Sequence, residues 1–166
     1  MLTLLFMLIL LFCDCIFYIR TIESGENMAL MMNDTDMDRM LEEIRPKEET
    51  YRGKAWGTIL AETAEVLTLG AFSNTYCYLG VSEHYLVIAI VGTLNIDRIK
   101  DKVCLPFEKI ESVSIKRGII PSQRIIKIKG KDIKLKISLV NNHFTTKVKN
   151  QKEGMKEIIT VLEKLK

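Results

Sequence analysis

The feature that most constrains this chain is a change of hydrophobic period. Over residues 56–137 the segments WGTILAE, NTYCYLGVS, HYLVIAIVG, DKVCLPF, ESVSIK, RIIKIKG and DIKLKISL are short apolar or alternating runs, separated by Gly, Asn, Asp, Pro or charged residues. Successive side chains of a strand point to opposite faces, so runs of this kind read as half-buried or fully buried strands. Further on, Val148, Met155, Ile158, Ile159, Leu162 and Leu165 mark one stripe of a helix, with Lys147, Lys149, Lys152, Glu153, Lys156, Glu157, Glu163 and Lys164 on its remaining surface. The pattern predicts a mainly β fold, a seven-stranded antiparallel barrel or sandwich whose open end is capped by a C-terminal amphipathic helix. Residues 84–91 are apolar on both faces and are expected at the centre of the sheet. Trp56, Tyr85, Leu86, Ile88, Phe107, Ile126, Ile128, Ile158 and Leu162 are expected to form one continuous core joining strands to helix.

Upstream, Met37, Met40, Leu41 and Ile44 recur at helical spacing, with Asn33, Asp34, Thr35 and Asp36 available as caps and Pro46 beyond the end. This predicts a short helix over residues 35–45, within an acidic linker over residues 20–50, packing on the sheet of a domain over residues 51–166. Residues 1–19, MLTLLFMLILLFCDCIFYI, are apolar except for Thr3 and Asp14. At about 1.5 Å per residue a helix of that length nearly crosses a hydrocarbon core. Either the run is a membrane anchor, with Arg20 biasing the rest toward the cytoplasm, or the true start is Met28, Met31 or Met32. A secretory signal fits poorly, because no Lys or Arg precedes the run and no small-residue cleavage site follows it. A cytoplasmic domain, attached to the inner face of the membrane if the run inserts, is the expectation.

Catalytic chemistry finds little support in the residues. Cys13 and Cys15 lie in the apolar run, and Cys77 and Cys104 are single residues in strand-like segments, which reads as buried thiols. His84 at a strand start and His143 in the NNHF connection have no cysteine or serine nearby in a nucleophile context. The pairs Glu42-Glu43 and Glu48-Glu49 are adjacent in sequence, so their carboxylates point in different directions. No phosphate loop, dinucleotide fingerprint or zinc spacing occurs. The expectation is a protein that is no enzyme and takes no cofactor and no metal.

Charge distribution is more telling than the net value of +3, which is too mild to suggest nucleic acid as a partner. Residues 21–65 carry 11 acidic and 5 basic side chains, whereas residues 116–152 carry 11 basic ones against Asp132 alone. Within residues 124–136, Lys127, Lys129, Lys134 and Lys136 alternate with isoleucine and leucine, Lys131 sits at the turn, and Lys116, Arg117 and Arg124 surround the preceding loop. Two readings compete. Lysine on exposed strands near a sheet edge blocks edge-to-edge aggregation. Alternatively the hairpin docks on an anionic phospholipid surface or an acidic protein, each lysine contributing roughly 1 kcal/mol near such a bilayer. Ile119 and Ile120, between Gly118 and Pro121, form an apolar tip framed by positive charge as in membrane-touching loops, or else fold back onto the sheet.

The run GVSEHYLVIAIV resembles the glycine, turn and apolar strand of bacterial pleckstrin-homology-like (PH-like) domains of the YokE type. LPFEKIESVSIKRGII is similar to the segment that follows in that family, with Pro106, Phe107, Ile110 and Val113 carrying the likeness and a glycine loop after it. The likeness covers residues 56–166 and ends on VLEKLK, where the family places its own helix. It implies the capped seven-strand fold and a binding module. It also implies that the glycine loop packs back onto the sheet. In lipid-binding members of the wider superfamily, basic residues between the first two strands hold the headgroup. The corresponding AETAEVLTLGAFS carries Glu62 and Glu65 and no Lys or Arg, so the basic residues stand in the later hairpin instead. A structural or assembly domain without a lipid ligand is the alternative function.

Overall fold

Each expected apolar run becomes a strand in the computed structural model, which describes residues 31–60, 75–92, 96–141 and 146–165. The elements are β1 (Met32–Asn33), α1 (Asp34–Glu43), β2 (Gly53–Ile59), β3 (Thr75–Val81), β4 (Tyr85–Val91), β5 (Ile99–Pro106), β6 (Ile110–Arg117), β7 (Gln123–Gly130), β8 (Ile133–Val140), β9 (Thr146–Lys147) and α2 (Gln151–Glu163). The expected anchor over residues 1–19, the connection over residues 61–74 with Glu62 and Glu65, and His143 lie outside the described residues. Among the described residues no helix is long and apolar enough to cross a membrane.

Seven strands form one antiparallel sheet in the order β5-β4-β3-β2-β8-β7-β6. Tight turns set part of this order, pairing β3 with β4 and β7 with β8, whereas β5 and β6, only three residues apart, separate to opposite ends. Between β3 and β4 the Ser82 N–H donates to the Tyr85 carbonyl at 3.0 Å, and the Tyr85 N–H donates to the Ser82 hydroxyl at 3.2 Å. Between β7 and β8 only Lys131 and Asp132 separate the paired residues Gly130 and Ile133. The two three- and four-strand meanders meet where β2 pairs with β8, at Thr58–Ser138 and Ile59–Ile137. The two ends of the order, β5 and β6, do not pair, so the sheet stays open. The architecture is the sandwich form of the expected PH-like fold.

Apolar packing occurs on both sides of the first meander, and this corrects the expectation of one continuous core. The inner cluster holds Leu79, Leu86, Ile88, Ile126, Ile128, Leu135, Ile137, Ile158 and Leu162, with Phe107 packed against it. Trp56 and Tyr85 belong instead to a second cluster with Met37, Met40, Leu41, Tyr78, Val87, Ala89 and Val91. The cause is α1, which lies across the outer face of β2–β4 and buries Met40 and Leu41 completely. For the same reason β4 is apolar on both faces although it is second from an edge and not central. Being covered on two faces requires two partners, not a middle position.

Local chemistry holds α1 in place. Asn33 caps it by accepting from the Asp36 N–H at 2.9 Å, and the Asn33 N–H donates to the Tyr78 hydroxyl at 3.2 Å. The Tyr51 hydroxyl donates to the Leu41 carbonyl at 2.7 Å, and Lys54 pairs with Asp38.

On the opposite side α2 lies against β2. A Cβ at Gly154 would stand 1.7 Å from the Lys54 carbonyl oxygen, so only glycine permits this approach. Gln151, 1% exposed, occupies the seam where β2 parts from β8. Its Oε1 accepts from the Trp56 N–H at 2.9 Å, and its Nε2 donates to the Trp56 and Val140 carbonyls at 2.9 and 3.1 Å. Backbone groups that lose a strand neighbour are thereby satisfied by one side chain.

Cys77 is buried as expected, and burial pushes its thiol well above the ordinary value. Cys104 is exposed, against expectation. It sits on edge strand β5, where alternate residues Lys100, Lys102 and Cys104 face solvent.

Candidate functional site

The hairpin register decides what the basic residues can do. With a two-residue turn at Lys131 and Asp132, Lys129 falls opposite Lys134 and Lys127 opposite Lys136. Antiparallel partners share a face, so the four lysines form two directly opposed like-charge pairs on the outward side. On the neighbouring strand Ser112 faces Lys129 and Ser114 faces Lys127. Lys116 lies across from Ile125 on the same side. Among the described residues Lys127, Lys129 and Lys134 enter no ion pair. The inward positions Ile126, Ile128, Leu135 and Ile137 are in the core.

This placement bears on the edge-protection reading. β7 and β8 are interior strands, second and third from the β6 edge. The backbone of β7 is paired along both sides, and β8 is paired along β7 and, at Ile137 and Ser138, with β2.

The other expected site residues lie elsewhere. Lys131 is at the β7–β8 turn, the far end of the hairpin. Arg117 is opposite Arg124, at a position of inward parity where the sheet ends. Ile119 and Ile120 do not fold back onto the sheet; they are 101% and 52% exposed. Their loop is nonetheless braced. The Gly118 N–H donates to the Gln123 carbonyl at 3.1 Å, the Gln123 N–H to the Ile120 carbonyl at 2.9 Å, and the Ile119 N–H to Gln123 Oε1 at 3.1 Å. Gln123 Nε2 donates in turn to the Ser138 hydroxyl at 2.8 Å. Arg124 Nη1 donates to the Pro121 and Gln123 carbonyls at 2.9 and 2.8 Å. A Cβ at Gly118 would collide with Gln123 Oε1 at 2.1 Å, so that glycine makes room for the bracing carboxamide. Held by these bonds, the loop leaves Ile119 fully exposed and Ile120 about half exposed.

Behind the loop is a groove of about 380 Å³ between the sheet end and α2. Arg124 lines one side, Lys152 and Lys156 the other, with Ser122, Asn141 and Thr160 between them. Reading the sequence alone assigned Lys152 and Lys156 to the remaining helix surface. Their i, i+4 spacing already placed them on one stripe, but nothing in the sequence announced that this stripe faces Arg124.

At the opposite corner His84 Nδ1 and Glu49 Oε1 are 2.8 Å apart. The hydrogen bond to Glu49 holds His84 above its ordinary value, and the Ser82 hydroxyl, then His84, hold Glu49 below its own. The pair links the segment after α1 to the β3–β4 turn.

No protein-family model matches the chain, and no curated protein does. Solved structures to which the chain is similar include the following two. One is the C-terminal domain of an unknown protein from Leishmania infantum, at 10% identity and a TM-score of 0.44, covering 75% of this chain and 93% of that one. The other is the hSac2 domain from the human phosphoinositide phosphatase Sac2, at 12% identity and a TM-score of 0.47, covering 78% of this chain and 76% of that one. At such identities neither likeness speaks to a ligand.

Proposed function

We propose that the chain is a non-catalytic binding module that docks its basic hairpin on an anionic membrane surface. The carrying observation is the pair of like-charge contacts, Lys127 with Lys136 and Lys129 with Lys134, on interior strands. Directly opposed like charges cost stability, and β7, paired along both sides, gains no edge protection from them. A polyanion laid across the face removes that cost. The finer likeness to bacterial YokE-type domains, through Pro106, Phe107, Ile110 and Val113, is part of this reading, as is a place on the cytoplasmic leaflet, where anionic lipids concentrate.

Sedimentation with vesicles containing phosphatidylserine, titrated with salt, tests the proposal. Attachment should weaken as ionic strength rises and should be lost when Lys127, Lys129, Lys134 and Lys136 are replaced by glutamine. The absence of a salt-sensitive component of attachment, or one that survives the four replacements, overturns it. A structural or assembly role is favoured by a different observation, the open edges at β5 and β6. Its signature is self-association that the lysine replacements do not change.

A further inference from the structure

We infer that the end of the domain formed by the β6–β7 loop and α2 enters the membrane, Ile119 and Ile120 reaching the acyl boundary while Arg124, Lys152 and Lys156 take a lipid phosphate in the groove behind them. The inference rests on the membrane reading above and adds an orientation and a headgroup site.

Three independent features meet at this end. The first is an apolar apex that is fully exposed at Ile119 and held outward by the bonds of Gln123 and Arg124. A braced loop inserts without first losing conformational freedom, which is the advantage of preorganisation. The second is the groove itself, whose volume of about 380 Å³ exceeds the roughly 300 Å³ at which small-molecule clefts begin. The third is its charge. Of its lining residues three are cationic and none is acidic, and among the described residues none of the three enters an ion pair. Guanidinium and ammonium groups with hydroxyls beside them, from Ser122 and Thr160, are the donor set that phosphate oxygens take. A soluble phosphate would use the groove but gain nothing from the isoleucines. Exposed apolar side chains beside the cations select a phosphate that is attached to a hydrocarbon surface.

The orientation has a graded consequence. Strands rise about 3.3 Å per residue, so along β7 Lys127 lies about 10 Å from Arg124 and Lys129 about 17 Å. At physiological ionic strength charge is screened over about 8 Å. With the loop end down, the Lys127–Lys136 pair therefore contributes more to attachment than the Lys129–Lys134 pair. With the sheet face lying flat, the two pairs contribute alike.

The test uses the full chain carrying Ile119→Trp. Trp56 is buried, so a change in emission reports on the new residue. Vesicles of phosphatidylcholine with phosphatidylserine should shift the emission to the blue, while pure phosphatidylcholine vesicles and inorganic phosphate should not. Attachment through residues 1–19 alone leaves Trp at this position in water. Lys152→Gln with Lys156→Gln should remove the shift, and Ile119→Asp should lower binding about tenfold or more. Lys127→Gln with Lys136→Gln should weaken binding more than Lys129→Gln with Lys134→Gln. An equal shift with neutral vesicles, or a shift with inorganic phosphate, overturns the lipid-phosphate site. Salt-sensitive, lysine-dependent attachment with no shift overturns the insertion and leaves the docking function standing. Loss of all attachment by the unchanged chain overturns both.

Discussion

Lys127 on β7 stands directly across from Lys136 on β8, with Lys129 and Lys134 in the same relation one step further along. Such contacts cost stability, and their sign can be reversed without touching the core. Lys134→Glu should raise unfolding stability by about 0.2–1 kcal/mol at low salt, by exchanging a like-charge contact for an opposite-charge one. The same change should weaken attachment to anionic vesicles. Denaturant unfolding and sedimentation check the two halves separately, and a variant that loses both stability and binding would contradict the account.

Gln151 makes an equally specific expectation. Gln151→Leu keeps the volume but leaves the Trp56 N–H and carbonyl buried without partners. Each orphaned group costs about 1–3 kcal/mol. Urea unfolding should show a loss in that range or above, and a change of a few tenths would mean that water replaces the carboxamide.

Two apolar faces predict two ways to collapse the same domain. Leu162→Asp places a carboxylate in the inner cluster and Met40→Asp places one in the outer cluster, both at completely buried positions. An uncompensated buried charge costs about 3–5 kcal/mol, a large share of the roughly 5–15 kcal/mol that holds a domain. Both variants should lose most of the thermal transition. A Met40→Asp protein that melts normally would show that α1 is an accessory.

The His84–Glu49 contact gives stability a pH window. A raised histidine contributes fully below its ordinary value of 6.5 and fades as pH rises through its folded pKa. A lowered carboxylate contributes above its ordinary value of 4.5 and fades as pH falls through its folded pKa. The pair is therefore most stabilising between 4.5 and 6.5. Melting temperatures of the wild type and His84→Gln, compared across pH, should differ most in that interval. A difference that is flat with pH would remove the pair from the stability of the turn.

Much of this is legible in the sequence. Alternation and turn residues located all seven strands of the sheet, and the switch to helical spacing located α2. Even the lysine contacts were present in principle, since a two-residue turn at Lys131 and Asp132 dictates which residues face each other. Strand order was harder to read, because β2 pairs with β8 across most of the chain and no local pattern records it. The expected central place of β4 therefore differs from its observed one, second from an edge. The groove was invisible for the same reason. Arg124 and the pair Lys152 and Lys156 come from elements that only the closed fold brings together.

The bonds between Gln151 and Trp56 span a sequence separation of 95 residues. During synthesis, β2–β4 leave the ribosome long before the side chain that completes β2 exists. Until then their inner face, Ala55, Leu79, Leu86 and Ile88 among it, lacks the strands and helix that cover it. Local hairpins form early, whereas closure waits for a long-range contact and is correspondingly slow. The nascent first meander thus carries uncovered apolar surface until the later strands and α2 are made.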